Sequence, residues 1–215
     1  RAACEIQSSK APANEHWFPV ALGGHSGNAK LHVLQKPSGS SLYPPNDELM
    51  FRFGPTSYGT LSKIIDVPIS TLSDFFDAYK RPAPNLIKLD VQGAELDICK
   101  GMRHEHWSDV LAVQTEVEFA ELYAGQPLFC ELNTYLEGQG FVLFDLLPVR
   151  SYRFEGETSH AQLRRHLNIC KNRSDISNRL IAGDALYLRA PEAVLSGPPA
   201  AQAVRGAAAP PRPSR

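Results

Sequence analysis

Apolar positions along this chain recur in two rhythms, and the change from one to the other marks the elements. Residues 85–102, NLIKLDVQGAELDICKGM, open on a short apolar run, Leu86-Ile87-Lys88-Leu89, that ends in the carboxylate of Asp90. Gly93 follows, and Leu96, Ile98 and Cys99 then fall at helical spacing. That sequence of signals predicts a buried parallel strand over 86–90, a turn, and a crossover helix over about 94–102. The rhythm repeats downstream, with a strand at 110–117, a helix at about 128–138 and a strand at 141–146. Alternation of this kind means βαβ units, a mainly parallel sheet and right-handed crossovers. A long polar connection, residues 148–179, leads to a last strand at 184–189.

The first third is less regular. Residues 1–10 read as the end of a helix, and residues 17–22 as a short strand in which Pro19 favours an edge position. Gly23 and Gly24 break it, residues 29–34 alternate as a strand does, and a Ser/Pro/Gly-rich loop runs to residue 55. Residues 64–69 are β-rich. Ser70 or Thr71 then caps a helix to about Tyr79, with Leu72, Phe75, Phe76 and Tyr79 at helical spacing. Residues 191–215 contain six prolines and a run of alanines with almost no large apolar residue, so they are expected to be disordered. The domain is therefore placed at 1–190 and the Pro/Ala-rich tail at 191–215.

Charge and cysteine content narrow the classes. A formal net charge of −1 supplies no field to neutralise phosphates, which argues against nucleic acid as a partner. No apolar run approaches the roughly 18 residues of a membrane span. The four cysteines, Cys4, Cys99, Cys130 and Cys170, lack the paired spacing of a zinc site. Cys99 and Cys130 fall in predicted helices, where reduced, packed thiols are expected, and a reducing, cytoplasmic compartment follows. The first residue is Arg1, so no leader can be read.

Asp90 and Glu116 are the candidate chemistry. Each lies at or near the carboxyl end of a predicted strand, and ligands of open α/β sheets bind in the crevice beyond those ends. Adjacent strands are about 4.8 Å apart, so the two carboxylates could meet in one pocket and orient and deprotonate a hydroxyl. The competing reading has Asp90 capping the next turn and Glu116 facing solvent. Glu95 and Asp97 read as first-turn acids of a helix. Gly23-Gly24-His25-Ser26-Gly27 is followed by a strand rather than a helix, so a tight hairpin is expected there instead of a phosphate cradle. His104-Glu105-His106 sits in an expected helix-to-strand loop without further ligands, and no metal site is assigned. Arg150, Arg153, Arg164, Arg165, Lys171 and Arg173 give the long connection a basic tilt, which reads as a solvated face or, beside a crevice, as a grip on an acidic or sugar substrate.

With these residues in view, IKLDVQGAELDICKGM resembles the hallmark of FkbM-type methyltransferases, roughly K-I-D-V-E/Q-G-x-E-x-x-x-L-K-G. Lys88, Asp90, Val91, Gln92, Gly93, Glu95, Lys100 and Gly101 fall on it, and Cys99 stands where leucine is usual. Val20-Ala21-Leu22-Gly23, Gly39-Ser40-Ser41-Leu42, residues 113–129, GFVLFDL at 140–146 and GDALYLR at 183–189 are similar to further family segments. The resemblance implies a Rossmann-like class I methyltransferase fold, mainly parallel with helices on both faces. It also implies S-adenosylmethionine as cofactor and O-methylation of a small-molecule or glycan acceptor.

By the same resemblance, Asp90 lies near the transferred methyl and the acceptor, Glu116 lines the acceptor side, and Ala21, Leu22 and Asp90 contact the cofactor. Residues 37–55 and 148–179 would shape acceptor choice. The family's glycine-rich cofactor loop and its ribose-binding acid have no counterpart here, so the chain is expected to lack the first two strands of the fold. A split sheet, weak cofactor binding, exposed apolar surface and open strand edges would follow. The rival expectation is a degenerate α/β binding module or a truncated gene product. A metal-dependent hydrolase on Asp90 and Glu116 is weaker, because no histidine partner is evident.

Overall fold

The computed structural model describes residues 2–51, 59–152 and 179–191. Seven strands and six α-helices alternate along these residues. In chain order they are α1 (Ala2–Lys10), β1 (Ala21–Leu22), β2 (Gly27–Leu34), α2 (Asp47–Phe51), β3 (Leu61–Ser70), α3 (Leu72–Tyr79), β4 (Leu86–Leu89), α4 (Glu95–Lys100), α5 (His104–Trp107), β5 (Ala112–Glu118), α6 (Phe129–Gly138), β6 (Phe141–Tyr152) and β7 (Arg179–Arg189). The strands form two sheets, ordered β1-β3-β2 and β4-β5-β7-β6, so the expected split of the sheet is what the described residues display.

The fold is mixed α/β. A mainly parallel sheet, expected from the βαβ rhythm, is not what forms. β1 with β3 and β4 with β5 are parallel pairs, whereas β2 with β3, β5 with β7 and β6 with β7 are antiparallel. The reason is the return of the chain after β6: β7 pairs directly with β6 and then fits between it and β5, which needs no crossover helix. The hairpin expected at residues 23–27 also fails, because β3 inserts between β1 and β2 and pairs with both. Residues 104–107, expected as loop, close into the short helix α5, anchored by the buried indole of Trp107.

The core lies on one face of the four-stranded sheet. Ile87, Leu89, Val113, Val117, Ala185 and Tyr187 point into it and meet Leu72 and Phe76 of α3, Leu96, Ile98 and Cys99 of α4, and Leu132 and Leu136 of α6. The period of two along β5 buries Val113, Thr115 and Val117 on that side. Across the sheet, Val142 pairs with Leu188 in the register of β6 and β7. Val142 is exposed there, as are Leu86 on β4 and Phe144 on β6, and β4 forms one edge of the sheet. Helices on both faces are therefore not seen among the described residues: α3, α4 and α6 share one core cluster on one side.

Local chemistry explains the helix ends. Thr71 caps α3, its Oγ1 accepting from the Asp74 N–H at 3.0 Å. The end of β1 docks on α4 through glycine. A Cβ on Gly101 would stand 3.0 Å from the Gly23 carbonyl oxygen, and one on Gly23 would stand 2.7 Å from Ile69 Cδ1. A side chain at either position would force its neighbours to shift. Of the cysteines, Cys99 is packed as expected, but Cys130 is exposed on α6 and Cys4 half-buried; all three are unpaired. Cys170, most of the long connection and the tail at 192–215 lie outside the described residues. Among the described residues, no helix is long and apolar enough to cross a membrane.

Candidate functional site

The parallel pairing of β4 with β5 aligns Leu89 with Thr115, so Asp90, just past the end of β4, and Glu116, two residues before the end of β5, follow as the next rung. The sequence expectation that they converge holds geometrically. One side-chain amide joins them: Gln92 Nε2 donates to Asp90 Oδ1 at 2.9 Å and to Glu116 Oε2 at 2.8 Å. Asp90 is exposed and Glu116 half-buried, so neither alternative offered by the sequence applies. Asp90 does not cap the turn, and Glu116 is not simply solvated.

The turn carrying the amide is held in an uncommon conformation. Gln92 has φ +57° and Gly93 φ +102°. A non-glycine residue in the left-handed region costs about 1 kcal/mol or more, and such strain gathers at functional sites. Glu95 stabilises the turn. Its Oε1 accepts from the Val91 N–H and its Oε2 from the Gly93 N–H, both at 2.9 Å. Glu95 is the first-turn acid expected of α4, and in addition a buried clasp of the preceding turn. Asp97 is half-buried and accepts from the Tyr43 hydroxyl at 2.5 Å.

Behind this rung the site becomes crowded with acids. Glu95, Glu116 and Glu118 each offer a carboxylate oxygen, all within 4.8 Å of one another. Burial pushes the Glu95 carboxyl up, against the backbone N–H donors of Val91, Glu95 and Gly93 that favour its charged form. Burial also pushes Glu118 up, to about 9, and Glu95, Glu116 and Asp90 add to the effect. The Gln126 amide beside Glu118 pulls weakly the other way, although its buried Nε2 makes no well-formed hydrogen bond. Hard oxygen donors of this kind suit Mg²⁺ or Ca²⁺. No histidine belongs to the group, and both Glu95 oxygens already accept backbone N–H groups.

The loop after β2 closes one side. The Ser41 hydroxyl donates to the Gln92 carbonyl at 2.6 Å, and the Tyr123 hydroxyl lies 2.8 Å from the Gly39 carbonyl and 3.1 Å from Gln92 Oε1. Tyr123 is itself fixed by its N–H to Gln126 Oε1 at 2.6 Å. Burial, with the neighbouring carboxylates, keeps its phenol far from ionising. Of the other expected contacts, Ala21 is exposed and Leu22 packs partly against the core. Gln92 entered the sequence reading only as a position of the family motif, and Glu118, Tyr123 and Gln126 were not singled out. For Glu118 a signal existed, since it follows Glu116 by two residues on one strand and shares its face. Tyr123 and Gln126 offered none.

Comparison with known proteins supplies the family. Methyltransferase 1 of Beauveria bassiana (strain ARSEF 2860) is 34% identical over 80 residues, 37% of this chain and 30% of that protein. The chain thus matches less than a third of that relative's length. No solved structure matches it. The family model for the methyltransferase FkbM domain matches residues 3–143, more than half of the chain, and the chain belongs to the FkbM methyltransferase family.

Proposed function

We propose that this chain carries the acceptor side of an S-adenosylmethionine-dependent O-methyltransferase with a Rossmann-like frame. The acceptor is a hydroxyl on a sugar or natural-product-like small molecule. The observation that carries the reading is the pair of carboxylates, Asp90 and Glu116, within reach of one amide near the ends of neighbouring parallel strands.

When bound, the cofactor supplies an electrophilic methyl group on a sulfonium. The exposed carboxylate of Asp90 suits both that positive charge and an incoming hydroxyl. Asp90 orients the hydroxyl and accepts its proton at a carboxylate oxygen, an effect typically worth about 10²–10⁴-fold. Glu116, half-buried beside it, lines the acceptor side as its partner. Alignment of the nucleophile supplies much of the remaining rate. Ala21 and Leu22 would form the apolar wall beside adenine. The fit is confined to this reacting end: among the described residues no glycine-rich turn opens directly onto a helix N-terminus after a strand other than β4. Residues 37–55 shape the acceptor side together with the connection at 148–179. The unpaired thiols suit a reducing, cytoplasmic compartment.

The test is transfer of labelled methyl from S-adenosylmethionine to a panel of monosaccharides and polyols, with Asp90→Asn as the variant. A folded variant should lose about 10²-fold or more in turnover. Full turnover in a folded Asp90→Asn chain removes the reading.

A further inference from the structure

We infer that Gln92 is a positioning residue of this same site, oriented by Tyr123; the inference rests on the reading of Asp90 and Glu116 given above. A primary amide has two N–H donors on one atom and an acceptor on the other. Here both donors are spent on different carboxylates, Asp90 Oδ1 at 2.9 Å and Glu116 Oε2 at 2.8 Å. Two carboxylates drawn to one point repel, and a donor placed between them offsets part of that repulsion. The amide holds both in place at once. Among the described residues Asp90 accepts no other hydrogen bond, so its second oxygen is left for an acceptor hydroxyl.

The amide must also face the right way round. Turned over, it would present Oε1 to two carboxylates, acceptor against acceptor. The Tyr123 hydroxyl, 3.1 Å from Oε1, favours the productive orientation by donating to that oxygen. The same hydroxyl lies 2.8 Å from the Gly39 carbonyl, so its one proton is shared between the two oxygens. The backbone is fixed as well, by the left-handed conformation of Gln92 and by the Ser41 hydroxyl on its carbonyl oxygen. A glutamine held at both ends loses the rotamer freedom of a surface glutamine, an entropic cost with no return in core packing. The return is a carboxylate pair of fixed geometry.

Proton NMR of the ¹⁵N-labelled 215-residue chain tests this without an acceptor. The Gln92 side-chain pair is assigned by its loss in Gln92→Leu. Both protons should exchange with water roughly five- to tenfold more slowly than those of exposed Gln35, the factor one ordinary hydrogen bond supplies. Asp90→Ala should move one resonance of the pair and Glu116→Ala the other, and Tyr123→Phe should speed exchange of both. The two carboxylate variants keep the test decisive if the tyrosine variant does not fold. A pair that exchanges as fast as Gln35 and ignores both carboxylate variants overturns the clamp. With methyl transfer as readout, Gln92→Leu should lower kcat roughly tenfold at unchanged KM. An intact amide signature together with full turnover of Asp90→Asn overturns the reaction reading, and with it the positioning role.

Discussion

β3 and β5 are both central strands, each paired on two sides, yet they live in different surroundings. Along β3 the six residues from Leu61 to Asp66 are exposed and only Ile69 is buried. Along β5 Val113, Thr115, Val117 and Glu118 are buried and none is exposed. Both strands have two hydrogen-bonded neighbours, so pairing does not make the difference. Three helices pack against one face of β5, whereas Ile64 and Ile65 of β3 remain open to solvent. A sheet becomes a core when a second layer covers it, and here the candidate site sits where the covered half meets the loop that follows β2.

The sharpest way to break this comparison is a matched pair of truncations. Leu136→Ala, at a side chain with no exposure, should cost about 2–5 kcal/mol in urea unfolding, and Ile64→Ala on β3 within about 0.5 kcal/mol. Equal losses would mean that the two halves are equally packed. Next is Arg189, whose guanidinium donates to the carbonyls of Val110, Gln139 and Trp107 and stacks over Phe141. Arg189→Met leaves those carbonyls without their donor and should cost about 2–3 kcal/mol by the same measurement.

Glu118 sharpens the comparison through pH. Its carboxyl holds a proton up to about 9 in the folded chain against an ordinary value of 4.5. Between those values the folded state binds more protons than the unfolded one, so stability falls as pH rises through the window. Glu118→Gln should therefore unfold at higher urea than the parent at pH 8, by about 2 kcal/mol, and be nearly neutral at pH 4. Glu95, shifted in the same direction, contributes to the slope that remains. A variant less stable at pH 8 would show that the Glu118 charge is compensated in place. A smaller loss is expected for Thr71→Ala, which removes the α3 cap and should lower the thermal midpoint by the equivalent of about 1 kcal/mol.

Much of the covered half was legible in the chain. The run into Asp90, the glycine after it and the helical spacing of Leu96, Ile98 and Cys99 mark β4 and α4, because one strand period and one helix period suffice to state them. The cap at Thr71 is equally local. The strand order was not legible. β7 inserts antiparallel between β5 and β6, and β3 separates β1 from β2, because strands distant in sequence compete for the same edge and no local signal records the winner. The parallel sheet and the hairpin at residues 23–27 failed for that reason.

The sequence by itself determined most of the elements (the short helices α2 and α5 excepted), the family and the two acids near strand ends, since each depends on neighbours within one turn or one strand. Tertiary structure decided what those acids meet. Gln92 reaches both because of a backbone turn that Glu95 fastens, Tyr123 supports it from beyond β5, and Gly39 and Ser41 arrive from a loop some fifty residues upstream of that turn. Hydrogen bonds act over three ångströms in space, whatever the distance along the chain.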